Sequence, residues 1–167
     1  YITPGSLGLP NKEYYTDQDE KSKEIRQQYV EHITRMLQYL GDSEESAKEQ
    51  AETILAFETR LAEPRLDKVA SRDFRNFNNP RSIEQIQEMV PAVDWKKYIS
   101  DLGVEKELDT IIVMQPKYME TLQAVLAEGD TKKWQTVMRW ATLNSAAGML
   151  TTELDKANWD FYSKTLN

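Results

Sequence analysis

Two amphipathic stripes that follow each other almost without a break constrain this chain more than any other feature. Ile25, Tyr29, Ile33, Met36 and Leu40 recur at spacings of four, four, three and four, which lays them along one face of a helix. Ala47, Ala51, Ile54, Phe57 and Leu61 repeat the pattern, and Pro64 limits it. Asp17, Asp19 and Glu20 stand near the start of the first helix, where the macrodipole favours carboxylates, and Gly41 is placed to end it. Asp42 and Glu45 have capping-box spacing for the second. Two long helices joined by so short a link pack antiparallel. The expected fold class is mainly α, built from packed amphipathic helices.

The flanks add shorter elements. Pro4, Gly5, Gly8 and Pro10 make residues 1–15 an irregular lead-in. Arg65, Lys68, Arg72, Arg75 and Arg81 stand against only Asp67 and Asp73, and Asn76, Asn78, Asn79 and Pro80 mark that stretch as loop. Ser82 and Gln85 form a capping box for a short helix that Pro91 ends, and Asp94 caps the next, before Gly103. Residues 110–114 are a mostly β-branched run of strand length, closed by Pro116. A lone strand cannot satisfy its own backbone groups, so it needs partners. Tyr1-Ile2-Thr3 is the candidate within the chain, and the others are assigned to sequence outside it, leaving one edge of the strand unpaired. The expectation is one short strand of a small or truncated sheet, within a single helical domain over 1–167 excised from a larger protein.

Pro116 fits the first turn of a helix through Tyr118, Leu122 and Val125. Asp130 or Thr131 caps a long one reaching about Leu150. That helix carries Trp134, Val137, Met138, Trp140, Ala141, Leu143, Ala146, Ala147 and Met149 nearly all round, the pattern of a buried central helix. Thr152 opens the last helix. Leu154, Ala157 and Phe161 form one apolar face there, and Trp159, Tyr162 and Leu166 a second. The second face is expected to serve a neighbour outside this core, with the Trp159 ring exposed.

Composition removes several function classes. The net charge is −7, which argues against a general nucleic-acid or anionic-membrane binder, since phosphate neutralisation needs a basic face. The chain has no cysteine and one histidine, so it offers neither a disulfide framework nor a histidine pair for a metal. His32 follows Glu31, but no second histidine stands four residues on, and a half-buried structural role is the expectation. Glu44 and Glu45, like Asp17, Asp19 and Glu20, are explained by helix starts before catalysis need be invoked. Gly5-Ser6-Leu7-Gly8 lacks the strand-to-helix turn of a phosphate cradle. Trp134 and Trp140 read as core rather than cofactor stacking. For the basic stretch at 65–81, a solvated surface that pairs with the acidic helices is the default, and a small anion or partner site the alternative.

Three stretches, in order and spacing, resemble one family. Gly5-Ser6-Leu7-Gly8-Leu9-Pro10-Asn11-Lys12-Glu13-Tyr14-Tyr15 is similar to the Leu-Gly-Leu-Pro-x-Arg-Asp-Tyr-Tyr segment of the neprilysin-like zinc metallopeptidases. Arg72-Asp73, Asn79-Pro80-Arg81-Ser82-Ile83 and Asp94-Trp95 resemble its Arg-Asp-Pro, Tyr-Asn-Pro-Met-Thr-Leu and Asp-Trp series, with Phe74 in place of the proline and Asn78 of the tyrosine. Arg139-Trp140 and Phe161-Tyr162-Ser163-Lys164-Thr165-Leu166 resemble its Arg-Trp and Phe-Tyr-Gly-Lys-Thr-Leu elements. The resemblance implies a zinc endopeptidase parent whose HExxH helix and substrate-binding strand lie in a separate catalytic half. It carries no catalytic, cofactor-binding or metal residue onto any position here, and zinc belongs to that other half. The implied role is steric: a helical region walling a chamber that admits peptides. The implied partners are the catalytic half of the same polypeptide and the enclosed peptides. The implied setting is extracytoplasmic, and the absence of cysteine points to a bacterial relative. A stand-alone helical interaction module is the alternative.

Overall fold

Asp19, Ser43, Ser82, Asp94, Asp130 and Thr151 each accept a hydrogen bond from the backbone N–H three residues on, and these caps fix six helix starts. The computed structural model describes residues 1–104 and 108–166, so positions 105–107 and Asn167 lie outside the described residues. Its α-helices are α1 (Lys12–Thr16), α2 (Glu20–Tyr39), α3 (Glu44–Ala62), α4 (Ile83–Met89), α5 (Trp95–Asp101), α6 (Pro116–Ala127), α7 (Thr131–Ala146) and α8 (Thr152–Trp159). Two short strands, β1 (Pro80–Arg81) and β2 (Ile111–Ile112), complete the regular structure together with brief 3₁₀ turns and a terminal π-helical segment, Asp160–Thr165. The fold is mainly α with a small open sheet. Within the stretch read as lead-in, residues 12–16 are helical, closed by the Asp17 N–H on the Glu13 carbonyl.

The chain gathers into two compact units. The first comprises Tyr1–Ser6 and Pro64–Gly129, the second Leu7–Glu63 and Asp130–Asn167. In the first, β1 pairs antiparallel with β2, Pro80 opposite Ile112 and Arg81 opposite Ile111. On its other side β2 continues into a parallel bridge between Ile2 and Val113. The Tyr1-Ile2-Thr3 stub is therefore the partner its position suggested. The unpaired edge is not: both edges of the strand are engaged, and the second partner lies inside the chain. The Asn79 carbonyl accepts the Val113 N–H at 2.9 Å. The Asn-Pro sequence hid this strand, although a proline is tolerated on an edge, where its missing N–H is not asked to join the ladder. Around β1, residues 65–81 also contain 3₁₀ turns at Ala70–Arg72 and Phe74–Phe77, so the stretch is only partly loop.

In the second unit α2 and α3 form the antiparallel pair that the stripes require. Ile25, Tyr29, Ile33 and Met36 are buried against Ala47, Ala51, Ile54 and Phe57, while Leu40 falls outside the buried face. Gly41, at φ 96°, ends α2 in the left-handed region that favours glycine. The start of α3 differs from the capping-box expectation. Ser43, not Asp42, caps it, and the Asp42 carboxylate turns to Arg139 and Gln50. Nor is α7 a buried central helix. Val137, Trp140 and Leu143 are buried along one side while Met138 is 53% exposed, as is usual for a surface helix. Its 3₁₀ end, Ala147–Met149, leaves Met149 in solvent.

Candidate functional site

The most unusual chemistry in the second unit is a buried carboxylate that sequence reading overlooked. Glu58 lies on α3 four residues after Ile54 and three before Leu61, on the apolar stripe itself, and is 5% exposed. Its Oε2 accepts from the Tyr15 hydroxyl at 2.8 Å and from the Tyr29 hydroxyl at 2.9 Å. Its Oε1 accepts from the Gly8 N–H at 3.3 Å. Each tyrosine oxygen is itself an acceptor, Tyr15 for the Leu9 N–H at 2.7 Å and Tyr29 for the Trp140 indole N–H at 2.9 Å. With those lone pairs used, both hydroxyl protons point at the carboxylate. Burial, and next the Glu58 charge, push both hydroxyls well above the ordinary tyrosine range, so they remain donors. Gly8 must be glycine here, because a Cβ would stand 1.6 Å from the Tyr29 hydroxyl oxygen. The Leu-Gly-Leu-Pro…Tyr-Tyr segment and the Arg-Trp pair thus meet around one acid. Arg139 adds the second half of its pair, a two-pronged hold on Asp42 that keeps that carboxyl below its usual range.

His32 is buried more deeply than expected, at 3% exposure. Its ring stacks on Phe161 at 4.6 Å and meets the edges of Trp140 and Tyr162, both at 5.7 Å. Neither ring nitrogen makes a hydrogen bond of normal geometry. Desolvation, then the Arg35 charge, lower its pKa to about 4, and Asn158 offsets only part of this. Phe161 and Tyr162 come from the π-helical segment, whose wider turn brings both rings inward. The second face expected from a 100° repeat is therefore divided. Trp159 is 54% exposed, as anticipated, whereas Tyr162 accepts from the Asn144 amide at 3.0 Å.

In the first unit a groove of about 600 Å³ opens beside the sheet. Trp95, Ile111, Tyr118 and Met119 are its buried base, and Tyr98 and Leu102 stand exposed among its lining. The Trp95 indole N–H is spent on the Val90 carbonyl at 3.0 Å, so the base offers no donor there. Arg65 donates to the Gly5 carbonyl and covers the Tyr118 ring at 5.1 Å. Arg75 pairs with Asp73. The basic stretch thus has local partners, while Phe74 and Val69 project into solvent.

The acidic candidates do not assemble. Asp19 caps α2, Glu44 and Glu45 occupy the first turn of α3, and Trp134 packs edge-on against Phe57. Among the described residues no three His, Cys, Asp or Glu side chains are placed to hold a metal ion. His32 is sealed between aromatic rings and Glu58 is held by two tyrosine hydroxyls and the Gly8 N–H, so the residues described here do not fit zinc.

Comparison with known proteins identifies the family. The family model described as Peptidase family M13, for its N-terminal region, matches residues 1–167. Endothelin-converting enzyme 1 of Cavia porcellus is 23% identical over 165 residues, covering 96% of this chain and 22% of the relative. Neprilysin-3 of Drosophila melanogaster is 25% identical over 171 residues, covering 96% of this chain and 21% of its own. The zinc metalloprotease Zmp1 of Mycobacterium tuberculosis, solved in complex with an inhibitor, superposes with a TM-score of 0.87 at 30% identity, over 98% of this chain and 25% of that one. Its open state gives 0.86, over 97% of this chain and 25% of that one. The chain spans about a fifth of the length of the curated relatives it matches. The motif order, the mainly helical fold and the full-length family match agree: the chain belongs to peptidase family M13, in its N-terminal region.

Proposed function

We propose that this chain is the non-catalytic helical region of a zinc metalloendopeptidase that hydrolyses oligopeptides, and that its contribution is to wall the space in which peptides are held. The observation that carries the reading is the family match over all 167 residues. In such an enzyme zinc supplies Lewis-acid polarisation and an activated water, and it would sit in a catalytic half on the same polypeptide. The proposed partners are that half and the enclosed peptides. The proposed setting is outside the cytoplasm, periplasmic or at the cell surface, in a bacterium. The family resemblance supports the setting, and the absence of cysteine with the 30% identity to a mycobacterial protease supports the bacterial origin. No helix among the described residues is long and apolar enough to cross a membrane.

The test compares two proteins on quenched fluorescent peptides with zinc present. The 167-residue chain should give no turnover. The full polypeptide containing it should give chelator-sensitive cleavage that declines as substrates lengthen and fold. Turnover by the chain alone that depends on His32 would overturn the proposal, as would a full polypeptide inert towards every peptide.

A further inference from the structure

The buried ring of His32 leaves a hydrogen-bond count that does not close. Among the described residues, four polar atoms of the second unit are buried without a partner: Nδ1 and Nε2 of His32, Oδ1 of Asn144 and Oδ1 of Asn158. The residues that carry them are neighbours. Asn158, on α8, acts directly on the ring. Asn144, on α7, donates to the Tyr162 hydroxyl at 3.0 Å, and the Tyr162 ring meets His32 edge-on. Phe161 covers one face of the imidazole, 6° from parallel. All four atoms are shut off from solvent within the chain itself, so a group from elsewhere on a longer polypeptide does not reach them. Polar atoms buried so deeply are hydrogen-bonded, to protein or to enclosed water.

The shortfall has a direction. A neutral imidazole carries one N–H donor and one acceptor nitrogen, and the two amide oxygens only accept, which sets one donor against three acceptors. Turning over the Asn158 amide would serve one ring nitrogen and leave the other, on the far edge of the ring, and Asn144 unserved. A water molecule brings two donors, the number that is short, and accepts in return. A cation would have to bury its charge among aromatic rings beside Arg35, whose guanidinium already opposes positive charge there. We propose that the second unit binds enclosed water between the His32 ring, Asn158 and Asn144. Water held there joins α2 to α7 and α8 by polar contacts inside an aromatic box. It also gives the histidine a task that a phenylalanine of similar shape could not perform. The site is built wholly from this chain and stands apart from the chamber reading.

The test is nitrogen-resolved NMR on the 167-residue chain at neutral pH, where the single histidine makes the ring signals unambiguous. The ring should be neutral, with one slowly exchanging N–H, and should show a cross-peak to the water resonance of the sign that marks a residence longer than nanoseconds. Asn158→Leu replaces an anchor by an apolar side chain of similar size and should abolish that cross-peak. Asn158→Ser keeps a short polar side chain, widens the site and should retain it. Should the leucine variant fail to fold, the parent chain and the serine variant still decide the matter. Four results would overturn the proposal. The first is a parent chain without the water cross-peak, and the second a ring bonded directly to Asn158 with no water beside it. The third is a ring carrying two protons at neutral pH, because two ring donors would then satisfy the two amide oxygens unaided. The fourth is a cross-peak of undiminished strength in a folded Asn158→Leu.

Discussion

Glu58 explains why three separated pieces of sequence travel together in this chain. A carboxylate taken out of water is costly unless its acceptor sites are filled, and here Tyr15, Tyr29 and Gly8 fill them. Removing a donor leaves a buried charge short of a partner, which costs more than the bond itself contributes. Gly8 is the tightest point of the arrangement. Tyr29 cannot swing aside to admit a methyl group, because it is fully buried and held at its hydroxyl by both Glu58 and the Trp140 indole. Gly8→Ala should therefore act as overpacking, at about 2–3 kcal/mol. For a chain of this length that is a fall of roughly 5–10 °C in Tm. Gly5→Ala is the control, since nothing lies within 4 Å of the added carbon and its Tm should stay close to that of the parent chain. Equal effects of the two substitutions in a thermal melt would remove the crowding argument.

Helix starts were legible because a cap is a local device: Asp19, Ser82, Asp94 and Asp130 act within three residues of where they stand. The elements that escaped sequence reading depend on distant partners. Asp42 and Ser43 are adjacent and both suit a cap, and Arg139, far along the chain, takes Asp42 away. Asn79 and Pro80 look like loop until β2 arrives beside them. Glu58 was readable in principle, as a carboxylate in register with Ile54 and Leu61, but a surface glutamate is so common that the register alone did not single it out. The terminal helix shows the limit of a fixed repeat. From Asp160 the backbone widens to π geometry, and residues that a 100° step places on separate faces converge on His32. Two substitutions separate the faces. Trp159→Ser removes a ring that is 54% exposed and touched by the Lys164 ammonium, so it should change stability by no more than about 0.5 kcal/mol. Tyr162→Ala removes a ring packed against His32 and Phe161 and hydrogen-bonded to Asn144, and should cost about 2–4 kcal/mol. Chemical denaturation of both variants decides it: a costly Trp159→Ser with a neutral Tyr162→Ala would mean that the segment is an ordinary α-helix.

With one histidine in 167 residues, the response of the molecule to mild acid turns on a single ring. An unfolded histidine takes a proton near pH 6.5, whereas burial and Arg35 hold folded His32 down to about 4. Between those values the unfolded chain binds a proton that the folded chain refuses, so stability rises with pH. The contribution is fully present above about pH 6.5, is lost progressively as pH falls towards 4, and is gone below it, a change of about 3 kcal/mol. Two other effects are separable. The net charge of −7 shrinks as the pH approaches the pI of 4.9, and weaker self-repulsion would raise stability, the opposite sign. The carboxyls held low, Asp42 by Arg139 and Asp130 by the Lys133 N–H, lose most of their contribution below about pH 4, and only the onset of that loss overlaps the window of His32. A fall in Tm across the window from 6.5 to 4.5 therefore belongs to His32. Calorimetric melts should show a drop of roughly 5–10 °C over that interval. His32→Phe keeps a flat ring against Phe161 and removes the titration, so its Tm should be level, or rise slightly, over the same interval. Parallel curves for the two proteins would mean that another group takes up the proton, and that the aromatic box around His32 does not set the acid limit of this fold.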